Sequence, residues 1–356
     1  MTEYFEIKKF TESSVLEWDK FCFNSDDCWL WHTSHGIIIK TFWNKHYNLS
    51  FSVIDKSNKK SLVAIVPLFL IKRKKIIDYS ILDSLGGPAI SSSLNEKKRN
   101  KLIYFINNYL LKLLNSYKTN KCEFTSSTLS NSIIGKNTII PNPLGPFINN
   151  EKSSFTWIKD LKQNTKKQIF DSFDKKAKNI IKKAEKHLLF KEVKEKETND
   201  FLSIYFNLHL QTTSRKGINN QNLKYFEYIF LKVPKKYRKI FYVEENNKIL
   251  TVSIFAIYKN NAAYWTNVSD WGGLKFGANY FCMWKSVEYL KKINIEFIDF
   301  GEGFFTHENK DKLFLNHFKK SFGGIKYPLF RGDKVLSSKW DYFFQLLREI
   351  KSVKIK

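Results

Sequence analysis

The chain has 356 residues, and 60 Lys and Arg against 34 Asp and Glu give a formal charge of +26. With 43% hydrophobic and 16% aromatic residues, it cannot be a mainly disordered chain, whose mark is low hydrophobicity beside high net charge. The length suits two domains of ~100–200 residues with sizeable cores.

The charge attracts polyanions, but only six of the basic residues are Arg and the rest are Lys. A surface dedicated to reading phosphate leans on bidentate Arg, so DNA binding is not expected. The start, Met1 to Lys9, carries no hydrophobic signal region. Cys22, Cys28, Cys122 and Cys282 show no CxxC spacing and read as reduced, mostly buried thiols of a cytoplasmic protein. His32 and His35 stand three apart with no clear Cys or carboxylate partner, so no metal site is expected.

Residues 49–55 and 61–72 read as an alternating hairpin. Its apolar run, Leu62 to Ile71 with Pro67 inside, is a strand and about half the length of a membrane span. Helical spacing follows over Lys97 to Tyr117. Ile140 to Phe147 is rich in helix breakers and divides the chain into domains 1–150 and 151–335, with 336–356 as a C-terminal helix. A single Lys-rich helix is predicted from Lys166 to His187, with an apolar stripe at Ile169, Phe170, Phe173, Ala177, Ile180, Ile181 and Ala184, and twelve Lys face five acidic residues between Leu161 and Lys196. It reads either as the solvated face of a core-packed helix or as a basic ridge for a polyanionic donor such as tRNA. A second hairpin spans 241–245, 249–258 and 262–268, followed by a helix at Tyr280–Lys292 and a buried strand at Ile295–Phe300. Strand–strand–helix–strand, twice, gives an α/β (α+β) chain with two mixed sheets.

No P-loop, dinucleotide GxGxxG, GxSxG elbow or zinc motif is present. That leaves group transfer without a metal or a covalent intermediate. Trp157-Ile-Lys-Asp-Leu161, Ile181-Lys-Lys-Ala-Glu-Lys186, Thr212-Thr-Ser-Arg-Lys216, Tyr264-Trp-Thr-Asn-Val-Ser-Asp270, Phe297-Ile-Asp-Phe-Gly301 and Phe318-Lys-Lys-Ser-Phe-Gly-Gly324 occur in that order. This succession resembles the FemAB-like family: the Fem peptidoglycan-bridge aminoacyltransferases and related tandem-GNAT N-acyltransferases. In the first half the stretch from Trp31 to Trp43 and Gly86-Gly87-Pro88 resemble its N-terminal signature and its Arg-Gly-Pro element. Here Gly86 replaces the family's Arg, and Gly36 stands where the family carries Trp.

The resemblance implies two tandem GNAT-like domains, the second carrying the main site. The implied reaction moves an aminoacyl group from aminoacyl-tRNA onto a primary amine of a cell-wall or cell-surface precursor, nucleotide- or lipid-linked. The alternatives are an acyl-CoA-dependent N-acyltransferase acting on an amino sugar or peptide, and a decayed, non-catalytic binding module. The donor is a co-substrate and no cofactor is bound; peripheral membrane contact is compatible with this reading, a transmembrane segment is not. An activated ester or thioester needs only an aligned amine and a stabilised oxyanion.

Phe318 and Lys319 match the family's Phe-Lys step at the reaction centre, though Lys319 also reads as one more surface Lys. Arg215 matches a phosphate-contacting position on the acceptor, or is a helix-end ion pair. Tyr225 and Tyr264 fall where family tyrosines line the acceptor channel, or are core. Lys40 matches an acceptor-gripping Lys. Asp299 is a proton acceptor or a turn holder; Glu302, His307 and His317 are further base candidates. The loop Gly272–Asn279, with Lys275 and Gly277, precedes a helix and presents amides to a donor pyrophosphate, or is a structural turn.

Overall fold

Pro67 fixes the layout of the N-terminal part. The computed structural model describes residues 4–43, 46–57, 60–73, 79–136, 140–305 and 310–336; the expected C-terminal helix lies outside them except for Leu336. Lacking an N–H, proline interrupts a sheet ladder, and the run expected as one strand is two. Ser61–Val66 joins a four-stranded antiparallel sheet with Phe5–Lys9, Phe51–Asp55 and Ala89–Ile90. Phe69–Arg73 joins a six-stranded sheet, in the order His46–Asn48, Phe69–Arg73, Tyr79–Gly86, Lys121–Ser126, Arg331–Val335, Asn150–Glu151.

Within that sheet Tyr79–Gly86 and Lys121–Ser126 run parallel, which requires a crossover. Glu96–Ser116 supplies it, capped by Asn95 Oδ1 on the Lys98 amide at 2.9 Å and burying Leu102, Ile106, Leu110 and Leu114.

The chain divides into two units, residues 1–153 with the segment from Leu329 onward, and residues 154–328. Arg331–Val335, expected in the second domain, therefore returns to the first, where it pairs with Lys121–Ser126 and Asn150–Glu151.

The second unit is a seven-stranded mixed sheet, ordered Leu189–Glu192, Arg238–Glu245, Lys248–Tyr258, Asn261–Ser269, Phe297–Glu302, Ser154–Asp160, Ile325–Leu329. Its hairpin turns fall at Asn246-Asn247 and Lys259-Asn260, all with positive φ, as tight primed turns require. The helix Ala278–Lys292 crosses between the parallel strands Asn261–Ser269 and Phe297–Glu302. Phe281, Trp284, Val287 and Leu290 from it meet Phe241, Phe255 and Phe322 in the core.

The Lys-rich segment is two helices, Lys166–Asp171 and Lys175–Ala184. Asp174 breaks the expected single helix by capping the second, its Oδ1 accepting from the Ala177 amide at 2.7 Å. The predicted stripe is nevertheless buried at Ile169, Phe173, Ala177, Ile181 and Ala184. A 19-residue helix that the sequence reading left out, Thr198–Lys216, packs Phe201, Tyr205 and Leu208 inward. No helix among the described residues is long and apolar enough to cross a membrane.

Candidate active site

The parallel strands of the second unit share register at only three pairs, Asn261–Phe297, Ala262–Ile298 and Ala263–Asp299. Each continues past that point while staying zipped to its outer neighbour, out to Ser269–Thr251 on one side and Glu302–Thr156 on the other. A bulge flanks each parted strand. Trp265 is the extra residue between Tyr264, opposite Phe255, and Thr266, opposite Ile254. On the other side Phe300 and Gly301 together oppose the single Trp157, between the pairs Thr156–Glu302 and Ile158–Asp299. Bulges bend their strands and re-aim side chains, and gather beside active sites. The facing edges present main-chain N–H and C=O groups that must find a ligand or solvent. In the first unit the equivalent parallel pair stays in register over five pairs, Leu82–Cys122 to Gly86–Ser126.

Three expected site residues meet along the Phe297–Glu302 strand. Lys319, in the last turn of Lys310–Lys320, donates from Nζ to the Glu302 carbonyl at 2.6 Å and lies 5.6 Å from the Phe304 ring. Gly301, at φ +96°, makes this approach: a Cβ there would stand 3.2 Å from Nζ. Burial pushes the Lys319 ammonium below the usual lysine range, while Asp299 and Glu302 pull it back up. Phe318 packs edge-on against Tyr280 and Phe322, with centroids 5.1 and 5.0 Å away.

Asp299 accepts from the Thr156 hydroxyl and from the Gly301 amide, the latter at 2.7 Å. Burial raises its carboxyl pKa, against those two bonds and the nearby Lys319. Both donors converge on Oδ1 and fix the strand-to-loop turn. From its ordinary value up to its raised one, the folded state keeps a proton that the unfolded chain releases, so stability falls as pH rises through that window. Asp299→Asn keeps the Oδ1 acceptor and removes the buried charge. Thermal melts across that window are expected to lose the slope, with Tm at neutral pH equal or higher. A lower neutral Tm with the slope intact would contradict this account.

The other parted strand gathers Tyr264, Tyr225 and Arg215. Tyr264 turns its hydroxyl into the core toward Ser253 and Cys282, and burial pushes its phenol far up. Tyr225 is buried, and its hydroxyl accepts from Trp265 Nε1 at 3.1 Å. Thr266, past the bulge, bonds the Tyr205 hydroxyl at 2.9 Å. Arg215 donates to the Ser269 carbonyl at 3.4 Å and lies 5.5 Å from the Trp271 ring, with no carboxylate ion pair among the described residues. The helix-end ion-pair reading is thus replaced by a half-buried guanidinium braced on a carbonyl and an indole.

The segment expected as an open Gly-rich loop is partly helical, Trp271–Lys275. Asp270 accepts from the Trp271 and Gly272 amides and pairs with Lys248 at 2.6 Å, so those amides are already engaged. Gly277 is overlaid by Ile180 of the basic helix, whose Cγ2 would stand 2.3 Å from a Cβ there. The Lys275 side chain and His307 lie outside the described residues; His317 is exposed.

Lys40 belongs to the first unit, paired with Asp83 at 3.3 Å and 4.5 Å from the Trp43 ring. His32 is fully buried, its Nδ1 accepting from the Trp29 amide and its Nε2 bonded to the Gly87 carbonyl, both at 3.2 Å; it is a core residue. Among the described residues no group of three or more His, Cys, Asp or Glu is arranged to hold a metal.

The sequence reading passed over several residues that shape the site: Trp157 and Trp265 at the bulges, Thr156 on Asp299, and Trp271 under Arg215. Asn316 also escaped it; its Oδ1 accepts from the Phe304 amide at 2.8 Å and from Trp157 Nε1 at 3.4 Å. The one local signal was Asp270 before Trp-Gly-Gly, an N-cap pattern.

Residues 147–243 match the FemAB family. FemX shares the fold with a TM-score of 0.63 at 12% identity, over 96% of this chain and 99% of that one. No curated protein matches the chain in sequence. The C-terminal domain (DUF2156) of a putative lysylphosphatidylglycerol synthetase from Agrobacterium fabrum has a TM-score of 0.56 at 11% identity, over 94% of each chain. A tandem GNAT protein from the clavulanic acid biosynthesis pathway has 0.52 at 8%, over 94% of this chain and 99% of that one. These likenesses show the fold, a tandem GNAT-type α/β arrangement with mixed sheets. Together with the family match, they support an acyltransferase.

Proposed function

We propose that the chain is an aminoacyltransferase, carrying an activated aminoacyl group from aminoacyl-tRNA to a primary amine of a cell-wall or cell-surface precursor in the cytoplasm, with its main site in the second unit. The observation that carries this reading is the Lys319 ammonium beside the parted strands. It has three donors, and among the described residues one is engaged, on the Glu302 carbonyl. The remaining N–H groups suit an oxyanion. The amine attacks the ester carbonyl carbon, a C–N bond forms, and the C–O bond to the tRNA ribose breaks. The leaving hydroxyl takes up a proton and the amine gives one up. Arg215 is assigned to acceptor phosphate. Tyr225 supports the acceptor side through Trp265, and Asp299 holds the turn that seats Lys319.

For the donor, Lys175, Lys176 and Lys183 with Asn179 and Ile180 line an open groove of about 450 Å³. Its helix packs over Gly277, the residue before the Ala278–Lys292 helix. Dense lysine without Arg suits a phosphodiester backbone held by charge alone. The amides capped by Asp270 weigh against a coenzyme A pyrophosphate at that loop.

The test is binding of aminoacyl-tRNA and acyl-CoA to the whole chain across a salt series. Aminoacyl-tRNA binding is expected to fall steeply with salt, and Lys176→Glu with Lys183→Glu to weaken it about tenfold or more. Acyl-CoA binding with no tRNA binding would replace this donor with acyl-CoA. Binding of neither would favour a decayed GNAT module.

A further inference from the structure

The first unit contains a pocket of about 100 Å³ at the carboxyl ends of its parallel strands, where the paired residues Gly86 and Ser126 both line it. Ligands of α/β sheets gather at such strand ends. Arg99 of the crossover helix, Asp27, Ser127, Ser130 and Ser132 add to its polar lining, and Ile103 and Phe147 give it an apolar wall. Every one of these residues lies in the first unit.

Two observations point to a ligand. Ser126 is 4% exposed, and its Oγ is buried with no hydrogen-bond partner among the described residues, whereas buried polar atoms are ordinarily satisfied. Arg99 and Asp27 border one small pocket, yet among the described residues they form no ion pair with each other or with any other group. Ser130 and Ser132 bond each other at 3.3 Å, and either hydroxyl can donate.

We infer that this pocket binds a small zwitterion, a free α-amino acid in charge and size, with its carboxylate toward Arg99 and Ser126 and its ammonium toward Asp27. The volume equals roughly three waters at ~30 Å³ each, room for a handful of heavy atoms. The Asp27 carboxylate disfavours a phosphate dianion, while unlike charges on one small cavity match a molecule carrying both. Arg is the side chain that grips a carboxylate in two places, and this one stands among six in the chain.

Titration calorimetry of the full-length protein with L-alanine, acetate, methylammonium and inorganic phosphate tests this. Alanine is expected to bind about tenfold or more tighter than acetate or methylammonium, each of which leaves one charged group unanswered. Arg99→Gln and Asp27→Asn should each weaken alanine about tenfold or more. Ser126→Ala, which deletes an unsatisfied buried hydroxyl, should weaken binding while Tm stays level or rises; it keeps the test decisive if a charge variant fails to fold. Phosphate binding without alanine binding, no binding of any probe, or alanine affinity unmoved by all three substitutions would overturn the inference.

Discussion

Lys319→Ala is expected to lower the turnover of transfer by about 10²–10³-fold, the usual cost of one oxyanion-hole donor, with little change in KM. The donor is defined on every side. Its ammonium is fixed on the Glu302 carbonyl, Gly301 leaves it room, and Asn316 bonds the Phe304 amide beside it. Such preorganisation is what makes a donor count in the transition state and not in ground-state binding. Because burial pulls this ammonium down, it loses its proton earlier than an ordinary lysine as pH rises. The wild-type rate should therefore fall on the alkaline side, and Lys319→Arg, always charged, should flatten that limb at a lower plateau. Arg215→Ala should separate from it by raising KM more than it lowers kcat, since its guanidinium is assigned to holding the acceptor. The measurement is single-turnover transfer across pH, with Tm confirming the fold. An alanine variant that turns over like wild type would remove Lys319 from the chemistry.

How far the sequence disclosed this arrangement depends on how local the cause is. Asn246-Asn247 and the alternation around them announce a hairpin because turn chemistry and strand period lie in adjacent residues. The same holds for the helix Ala278–Lys292 and the apolar stripe from Ile169 to Ala184. Pro67 was visible, but its splitting of one apolar run between two sheets depends on which strands lie beside it. The return of Arg331–Val335 to the first unit is a pairing across some two hundred residues, for which no local signature exists. In the site, Lys319, Phe318 and Arg215 were found through the order of loose motifs; nothing in their own chemistry marked them among so many lysines and aromatics. The parting of the strands stayed hidden because a bulge at Trp265 breaks alternation by one residue inside an otherwise regular strand.

Restoring the family's residue at position 36 should unfold the first unit. Gly36 lies in the helix Ser34–Thr41, and even a Cβ there would come to 2.5 Å from the Leu30 carbonyl oxygen and 2.7 Å from the Trp31 Cα. Those neighbours are backbone of the short helical turn Leu30–His32 and cannot rotate aside. The same turn governs the second departure from the family pattern. Gly86 has φ +106°, and a Cβ on it would stand 2.4 Å from the His32 ring, which is itself pinned by the Trp29 amide and the Gly87 carbonyl. Both glycines therefore leave space for one buried segment. Gly36→Ala should cost about 3 kcal/mol, at the upper end of overpacking, and Gly36→Trp should exceed the ~4–5 kcal/mol seen only for severe core lesions. With a domain's whole stability at ~5–15 kcal/mol, the Trp variant is expected to be insoluble or to lack a cooperative transition for this unit in urea. A Gly36→Trp protein that melts like wild type would mean that the Leu30–His32 turn does not pack as described. Gly86→Arg should fail in the same way, because it adds backbone strain at positive φ to the clash with His32.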